Sequence, residues 1–193
     1  GRLTTGQVGT HYRSNGDAAG ANLRATYATE TFNITYAGSI AQSDNYKAGG
    51  DFKNYDATGR PGHTLARDEV GSSAYETRNH ELGVAWRGSG QLVEAKLGFQ
   101  DMPYQLYPTQ RMDMLDNTQH RINLRYLGQF DWGALEARAY HEKVDHYMDF
   151  GEDKKFFYGA PPYIVAPGMP MYTQSKNTGA SVKASIDMGP RDL

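Results

Sequence analysis

Apolar and polar side chains alternate along the first half of residues 133–150. The odd-numbered positions of the first half are apolar, at Leu135, Ala137 and Ala139. The even-numbered positions are charged or polar, at Glu136, Arg138, Tyr140 and Glu142. Because successive side chains of a β-strand point to opposite faces, this period of two predicts a strand with one apolar and one polar face.

The same alternation recurs along the chain and predicts eight strands. The segments are 3–13, 20–29, 31–42, 79–88, 91–100, 120–130, 134–148 and 178–188. After the first, the connections alternate between short turns and three long loops, which we expect at about Ser43–Ala74, Asp101–Thr118 and Asp149–Lys176. Bacterial outer-membrane barrels have short periplasmic turns, long extracellular loops and tilted strands of about 9–11 residues. We therefore predict an all-β fold, an antiparallel transmembrane β-barrel.

One face of these strands carries eleven charged side chains. They are Arg24, Glu81, Arg87, Glu94, Lys96, Arg121, Arg125, Glu136, Arg138, Lys183 and Asp187. The mid-strand positions of the other face carry no Asp, Glu, Lys or Arg. A Lys or Arg at the lipid midplane costs about 2–4 kcal/mol, so we assign the charged face to the lumen and the other to lipid. The alternative is a soluble antiparallel sheet with one buried face.

Composition limits the partners and the extent of the fold. The 193 residues carry a formal net charge of −2, which argues against a nucleic-acid partner, and they contain no cysteine. An open eight-stranded sheet would leave two unpaired edges in lipid. The turn-like sequence Gly189-Pro190-Arg191-Asp192-Leu193 leads toward further chain. We expect residues 1–193 to be part of one β-barrel domain in a longer protein of the bacterial outer membrane.

Soft metal ligands cluster toward the long-loop end of the predicted strands. His146 and Met148 lie two residues apart, so their side chains share the face of Glu136 and Arg138. Two Met-x-Met units contribute further thioethers, at Met112, Met114, Met169 and Met171. Methionine also fills irregular gaps in loops and cores. Imidazole and thioether together favour copper over Mg²⁺ or Ca²⁺.

The sequence contains no recognisable set of catalytic residues. The segment 141–146 is one residue too long for His-Glu-x-x-His, a motif that also needs a helix. No Ser-His-Asp or paired-carboxylate arrangement can be assembled. The charged residues at 149–155 favour a solvated loop over a Ca²⁺ site. We predict a protein that is not an enzyme and that has no enzyme cofactor.

The sequence resembles the barrel region of TonB-dependent outer-membrane receptors over essentially all 193 residues. The resemblance rests on the alternation of short turns and long loops and on residues 98–114, and residues 144–149 resemble the His-x-Met strand of the copper receptors of that family. The resemblance implies a 22-stranded barrel, an N-terminal plug domain and energy supplied through TonB. This chain would then contribute the first barrel strands, without the plug. The resemblance also implies His146 and Met148 as copper ligands, with Met112, Met114, Met169 and Met171 as capture residues in the outer loops.

Three functional hypotheses follow. The first is active uptake of a copper ion, with outer-membrane lipid and TonB as partners. The second is uptake of a siderophore or other organic ligand through the same loops, stacked on Tyr104, Tyr107, Phe156, Phe157 and Tyr158. The third is a passive channel, which would need no plug, or an outer-membrane enzyme, which would need acid and base groups converging in the lumen.

Overall fold

The computed structural model describes residues 1–58 and 60–189, which form one large antiparallel sheet and a small hairpin. Pro190–Leu193, within the turn-like end of the sequence, lie outside the described residues. The strands are β1 Arg2–Arg13, β2 Ala18–Thr29, β3 Phe32–Ser43, β4 Tyr75–Gly88, β5 Gln91–Gln105, β6 Asp113–Phe130, β7 Gly133–Asp149, β8 Phe156–Tyr158, β9 Ile164–Ala166 and β10 Met171–Ile186. A 3₁₀ helix, Asn15–Asp17, joins β1 and β2. No helix in the described part of the chain is long and apolar enough to span a membrane.

The predicted all-β antiparallel fold is confirmed. The eight long strands pair in chain order, β1 through β7 and then β10, and the sheet is open at β1 and β10. Three loops, residues 44–74, 106–112 and 150–170, lie at one end of the sheet, which we call the loop end. The short turns at 30–31, 89–90 and 131–132 lie at the opposite end, the turn end, whereas the short β1–β2 connection lies at the loop end, where the N–H of Asp44 donates to the carbonyl of Gly16 at 2.7 Å. The β8–β9 hairpin inside the third loop was not predicted from the sequence.

The strands extend further toward the loop end than the alternation indicated. The predicted loop Asp101–Thr118 is wrong, because β5 continues to Gln105 and β6 begins at Asp113. Met114 and Met171 are consequently strand residues, not loop residues. The physical reason is irregular pairing: register shifts between Glu76 and Arg78 and between Met114 and Asp116 interrupt the period of two while the strands remain paired.

The register places the charged side chains side by side on one face. Arg121 pairs with Glu81 at 3.2 Å, across the intervening strand β5. Arg125 lies between Glu94 and Glu136, at 3.0 Å from each carboxylate. Opposite charges on neighbouring strands stabilise a sheet, so the pairs of Arg125 with Glu94 and Glu136 add to the stability of this register. We call this side the charged face and the opposite side the apolar face.

The apolar face is uncovered. Leu124 is 47% exposed and Val182 is 73% exposed, although both lie in mid-strand. The described residues bury only three hydrophobic side chains, namely Ala18, Met114 and Phe150. Toward the turn end the apolar face carries aromatic rings, with Phe130 stacked on Trp132 at a centroid distance of 5.2 Å. A soluble sheet would bury such a face, whereas a membrane barrel presents it to lipid between aromatic girdles.

Candidate metal-binding site at the loop end of the charged face

His146 and Met148 lie near the loop end of β7, on the charged face, and both side chains are half-buried. Strand β7 is paired without interruption to β10, so the two residues keep the same orientation. His146 is directly opposite Asn117 of β6 and Thr173 of β10. The structure therefore places both predicted ligands on one surface, with Cα atoms about two strand residues, roughly 6.6 Å, apart.

A hydrogen bond orients the imidazole of His146. Its Nδ1 lies 3.1 Å from the side-chain oxygen of Asn117. The amide nitrogen of Asn117 donates to the side-chain oxygen of Gln100 at 3.5 Å, so the amide oxygen faces His146. Nδ1 must then carry the proton and donate it to Asn117. The Nε2 lone pair of His146 is left available for a ligand, which is the usual arrangement for a metal-binding histidine.

The hydrogen bond to His146 is the end of a chain of side-chain amides across the charged face. The amide nitrogen of Gln100 donates to the oxygen of Asn79 at 2.7 Å. Asn79 in turn donates to the hydroxyl of Thr77 at 3.1 Å and to that of Ser39 at 3.5 Å. In each amide the nitrogen donates a hydrogen bond toward one side of the chain and the oxygen accepts one from the other side. The chain therefore holds Asn117 in a single orientation from strands β3 to β6.

Three methionines lie in register beside His146. Met148 is directly opposite Met114 of β6 and Met171 of β10. Directly opposed residues point to the same face with Cβ atoms about 4.5–5.5 Å apart, so three thioethers form a row across three strands. Met114 is buried and Met148 is half-buried, whereas Met171 lies on the edge strand β10, which is exposed at nearly every position. The row therefore places three thioethers side by side at one level of the face.

The other predicted capture residues lie in the loops next to this row. Met112 is at the end of the 106–112 loop, immediately before β6. Met169 precedes β10, and its backbone N–H donates to Asp149 at 2.6 Å. Met102 of β5 is directly opposite Asn117, which brings a further thioether to the same face. Among the described residues no group of three or more His, Cys, Asp or Glu side chains could hold a metal ion.

Sequence reasoning missed Asn117, Gln100 and Asn79. Each lies at a position of the charged face, so the period of two could have assigned their faces. Their contacts depend on cross-strand register, which the interrupted pairing between Met114 and Asp116 alters. His141, in contrast, lies on the apolar face, and its Nδ1 contacts the hydroxyl of Thr178 at 2.6 Å.

A buried ion pair ties the three loops together above this row. The Lys154 ammonium donates to Asp113 at 2.7 Å and to the carbonyl of Tyr107 at 2.7 Å. Asp113 is fully buried, and it also accepts from the N–H of Tyr107 and the hydroxyl of Ser72. The side chain of Lys154 is only 13% exposed. The solvated charged loop predicted for residues 149–155 is therefore wrong at Lys154, because its ammonium has a buried carboxylate partner.

Asp153 forms a second polar contact between the loops. Its carboxylate accepts from the Ser72 N–H, from Asn45 at 2.8 Å and from His63 at 2.8 Å. Burial alone would raise the pKa of Asp153, but the hydrogen bonds from Ser72, Asn45 and His63 outweigh burial and hold the pKa below its usual value. The stability that the ionised Asp153 gives to these loop contacts is fully present at pH values above the usual pKa of an aspartate. It is lost as the pH falls through the lowered pKa.

The fold is similar to part of a solved structure, the copper transporter OprC. The TM-score is 0.69 with 20% sequence identity, and the match covers 97% of this chain and 26% of that chain. At this identity the likeness establishes the fold, a segment of a β-barrel, and this chain spans about a quarter of the transporter's length. No protein-family model matches the sequence, and no curated protein matches it.

Proposed function

We propose that this chain is part of the barrel of a TonB-dependent outer-membrane receptor that takes up copper, with His146 and Met148 as ligands. The observation that supports this most strongly is the imidazole of His146, which Asn117 holds with Nε2 available. It lies two residues from a thioether, on the face that we assign to the lumen. In this proposal the apolar face contacts outer-membrane lipid, the loop end is extracellular and the turn end is periplasmic.

The donor set is soft. An imidazole nitrogen and thioether sulfur atoms favour copper, whereas carboxylate, carbonyl and water ligands favour Mg²⁺ and Ca²⁺. The row of Met171, Met148 and Met114 gives a copper ion three neighbouring sulfur ligands. Met112 and Met169 in the adjoining loops act as the first capture residues. The copper ion is the transported substrate and is not a resident cofactor.

The remaining parts of such a receptor are also proposals. Residues 1–193 would be the N-terminal strands of a 22-stranded barrel domain, closed by strands that pair with β1 and β10. A plug domain would fill the lumen, contact the ion pairs of the charged face and supply further ligands. TonB, acting on the plug, would supply the energy for transport. The protein would not be an enzyme.

Copper accumulation by cells tests this function. Bacteria lacking their own copper receptor would express the wild-type receptor or a His146→Ala/Met148→Ala variant at matched surface levels. We expect the wild type to accumulate more copper than the variant, and we expect this difference to disappear without TonB. Equal accumulation by both proteins would contradict copper uptake through this site.

A siderophore or other organic ligand is the second candidate, and exposed aromatic side chains favour it. Phe157 and Tyr158 of β8 are 46% and 49% exposed. Phe156 is less available, because it contacts Phe150 and lies under the Arg111 guanidinium at 4.1 Å. If iron chelates enter cells through the receptor while copper does not, this candidate replaces copper uptake.

We predict that Asn117→Leu weakens copper binding about 10–100-fold, the usual effect of losing a partner that orients a metal-binding histidine. The leucine cannot accept the Nδ1 proton, so the imidazole loses its fixed tautomer and orientation. Asn117→Asp keeps an oxygen acceptor and should restore most of the affinity. Gln119→Leu is the matched control on the same strand and face. Titration of purified receptor with copper measures all three; an Asn117→Leu affinity equal to that of Gln119→Leu would contradict the role of Asn117.

A further inference from the structure

Basic side chains line up on the apolar face near the loop end. Five residues on adjacent strands are directly opposite one another and form one row. They are His80 of β4, Phe99 of β5, His120 of β6, Lys143 of β7 and Lys176 of β10. The next row toward the turn end holds Tyr36, Leu82, Leu97, Ile122, His141 and Thr178. Neither row contains a carboxylate in these described strands. We call the set of His80, His120, His141, Lys143 and Lys176 the basic belt.

The basic belt lies one membrane thickness from the aromatic rings of the turn end. On β6, His120 and Phe130 are ten positions apart and share the apolar face. At about 3.4 Å per residue and a tilt near 40°, ten residues rise about 26 Å along the barrel axis. The apolar band of an outer-membrane barrel is about 25 Å tall. With Phe130 and Trp132 at the periplasmic interface, the basic belt lies where the outer leaflet's hydrocarbon meets its headgroups.

Two lysines of the belt face each other directly. Lys143 of β7 and Lys176 of β10 are a directly opposed pair, and Lys176 is exposed. Like charges in this position destabilise a sheet, and an anion bound between them would reduce the repulsion. Lys143 contacts Asp145 at 2.6 Å, but that carboxylate is also engaged by Gln174 and by Tyr172. The Asp145 carboxylate thus partly offsets the ammonium group of Lys143.

The rest of the belt adds hydrogen-bond donors on an aromatic surface. The ring of Phe99 lies between His80 and His120, at centroid distances of 6.2 and 4.9 Å. Tyr36 contacts His80 at 2.7 Å, and Thr178 contacts His141 at 2.6 Å. All of these residues except Thr178 line a shallow groove of about 430 Å³, and Glu81 and Arg121 also belong to its lining. The groove combines apolar walls with imidazole nitrogens, beside the two lysines.

We propose that the basic belt binds the phosphorylated headgroup of an outer-leaflet lipid, with the phosphate between Lys143 and Lys176 and next to His120. Charge-assisted hydrogen bonds from ammonium groups to phosphate are strong, and lysines at a membrane surface attract anionic lipids. The acyl chains would lie on the apolar residues below, such as Ile122 and Leu97. The inference rests on the membrane location given under the proposed function, and it does not depend on copper.

Lipid retention by the receptor in detergent tests this binding. Native mass spectrometry would compare a bisphosphorylated glucosamine lipid with its dephosphorylated form. We expect wild-type receptor to retain the phosphorylated lipid preferentially, and we expect Lys143→Gln/Lys176→Gln to weaken retention about tenfold or more. Lys143→Arg/Lys176→Arg keeps both charges and should retain the lipid. Lys96→Gln/Lys183→Gln is the matched control, because it removes two lysines from the charged face and should change nothing.

The outcomes separate this inference from the proposed function. Equal retention of both lipids by the wild type, or wild-type retention by the Gln pair, would overturn the phosphate site. Copper content measured on the same samples reports on the opposite face and should be unchanged in every variant. A wild-type receptor that retains the phosphorylated lipid but binds no copper would support the basic belt and contradict only the copper proposal. Loss of lipid in the Arg pair would also overturn the phosphate site, because that pair keeps both charges.

Discussion

Met148→Ala is expected to lower the copper affinity of the receptor by more than about a hundredfold, since losing only an orienting partner of a ligand already costs about 10–100-fold. The methyl side chain leaves a gap in the row between Met114 and Met171. Water can fill the gap, but it is a poor ligand for a soft ion. The loss should therefore be larger for Cu(I) than for Cu(II). Metal content of the purified receptor after loading measures both.

His146→Ala should lower binding to a similar degree, because it removes the nitrogen ligand that Asn117 orients. Met188→Ala is the matched control, because Met188 lies just beyond β10 at the turn end and is 71% exposed. If Met148→Ala, His146→Ala and Met188→Ala contain equal amounts of copper after loading, the copper site is not on β7.

Lys154→Met is expected to destabilise the loops by about 3–5 kcal/mol, the usual cost of leaving one member of a buried ion pair without its partner. Asp113 would remain fully buried, and the hydroxyl of Ser72 and the N–H of Tyr107 would be its remaining partners. The three loops that meet at Asp113 should then open together. Hydrogen exchange of the backbone amides in residues 44–74, 106–112 and 150–170 measures this opening.

Lys47→Met is the control for the loss of a lysine from the same loops. Lys47 contacts Asp68 at 3.7 Å but is 59% exposed, and exposed pairs contribute only about 0–1 kcal/mol. Adding Asp113→Asn to Lys154→Met removes the buried charge and keeps an oxygen for the Tyr107 N–H, so the double variant should regain stability. If the backbone amides of Lys154→Met exchange no faster than those of Lys47→Met, the ion pair does not hold the loops closed. The same conclusion follows if the double variant does not regain slow exchange.

The faces of the strands were predictable from the sequence because they depend on a local property. A charged residue in mid-strand is excluded from lipid whatever its partner, so Arg125 and Glu136 could be assigned to one face by counting. The extent of the strands was less predictable. Near the loop end both faces of β5 and β6 are polar or mixed, and the interrupted pairing at Met114 breaks the period, so the alternation no longer marks a strand.

The surroundings of the candidate ligands could not be read from the sequence. His146 and Met148 share a face by counting, but the opposition of Met148 to Met114 and Met171 depends on register across three strands. The lengths of the loops and the interrupted pairing at Met114 set that register. The contact between Lys154 and Asp113 joins residues 41 positions apart, and no local pattern predicts it.

The position of copper in the receptor would show whether His146 and Met148 bind it. Crystals of the wild-type receptor loaded with copper would be measured on both sides of the copper absorption edge. We expect one dominant anomalous peak on the charged face, within bonding distance of the His146 Nε2 atom and the Met148 sulfur. A dominant peak elsewhere, or no peak in crystals of a receptor that transports copper, would contradict that expectation.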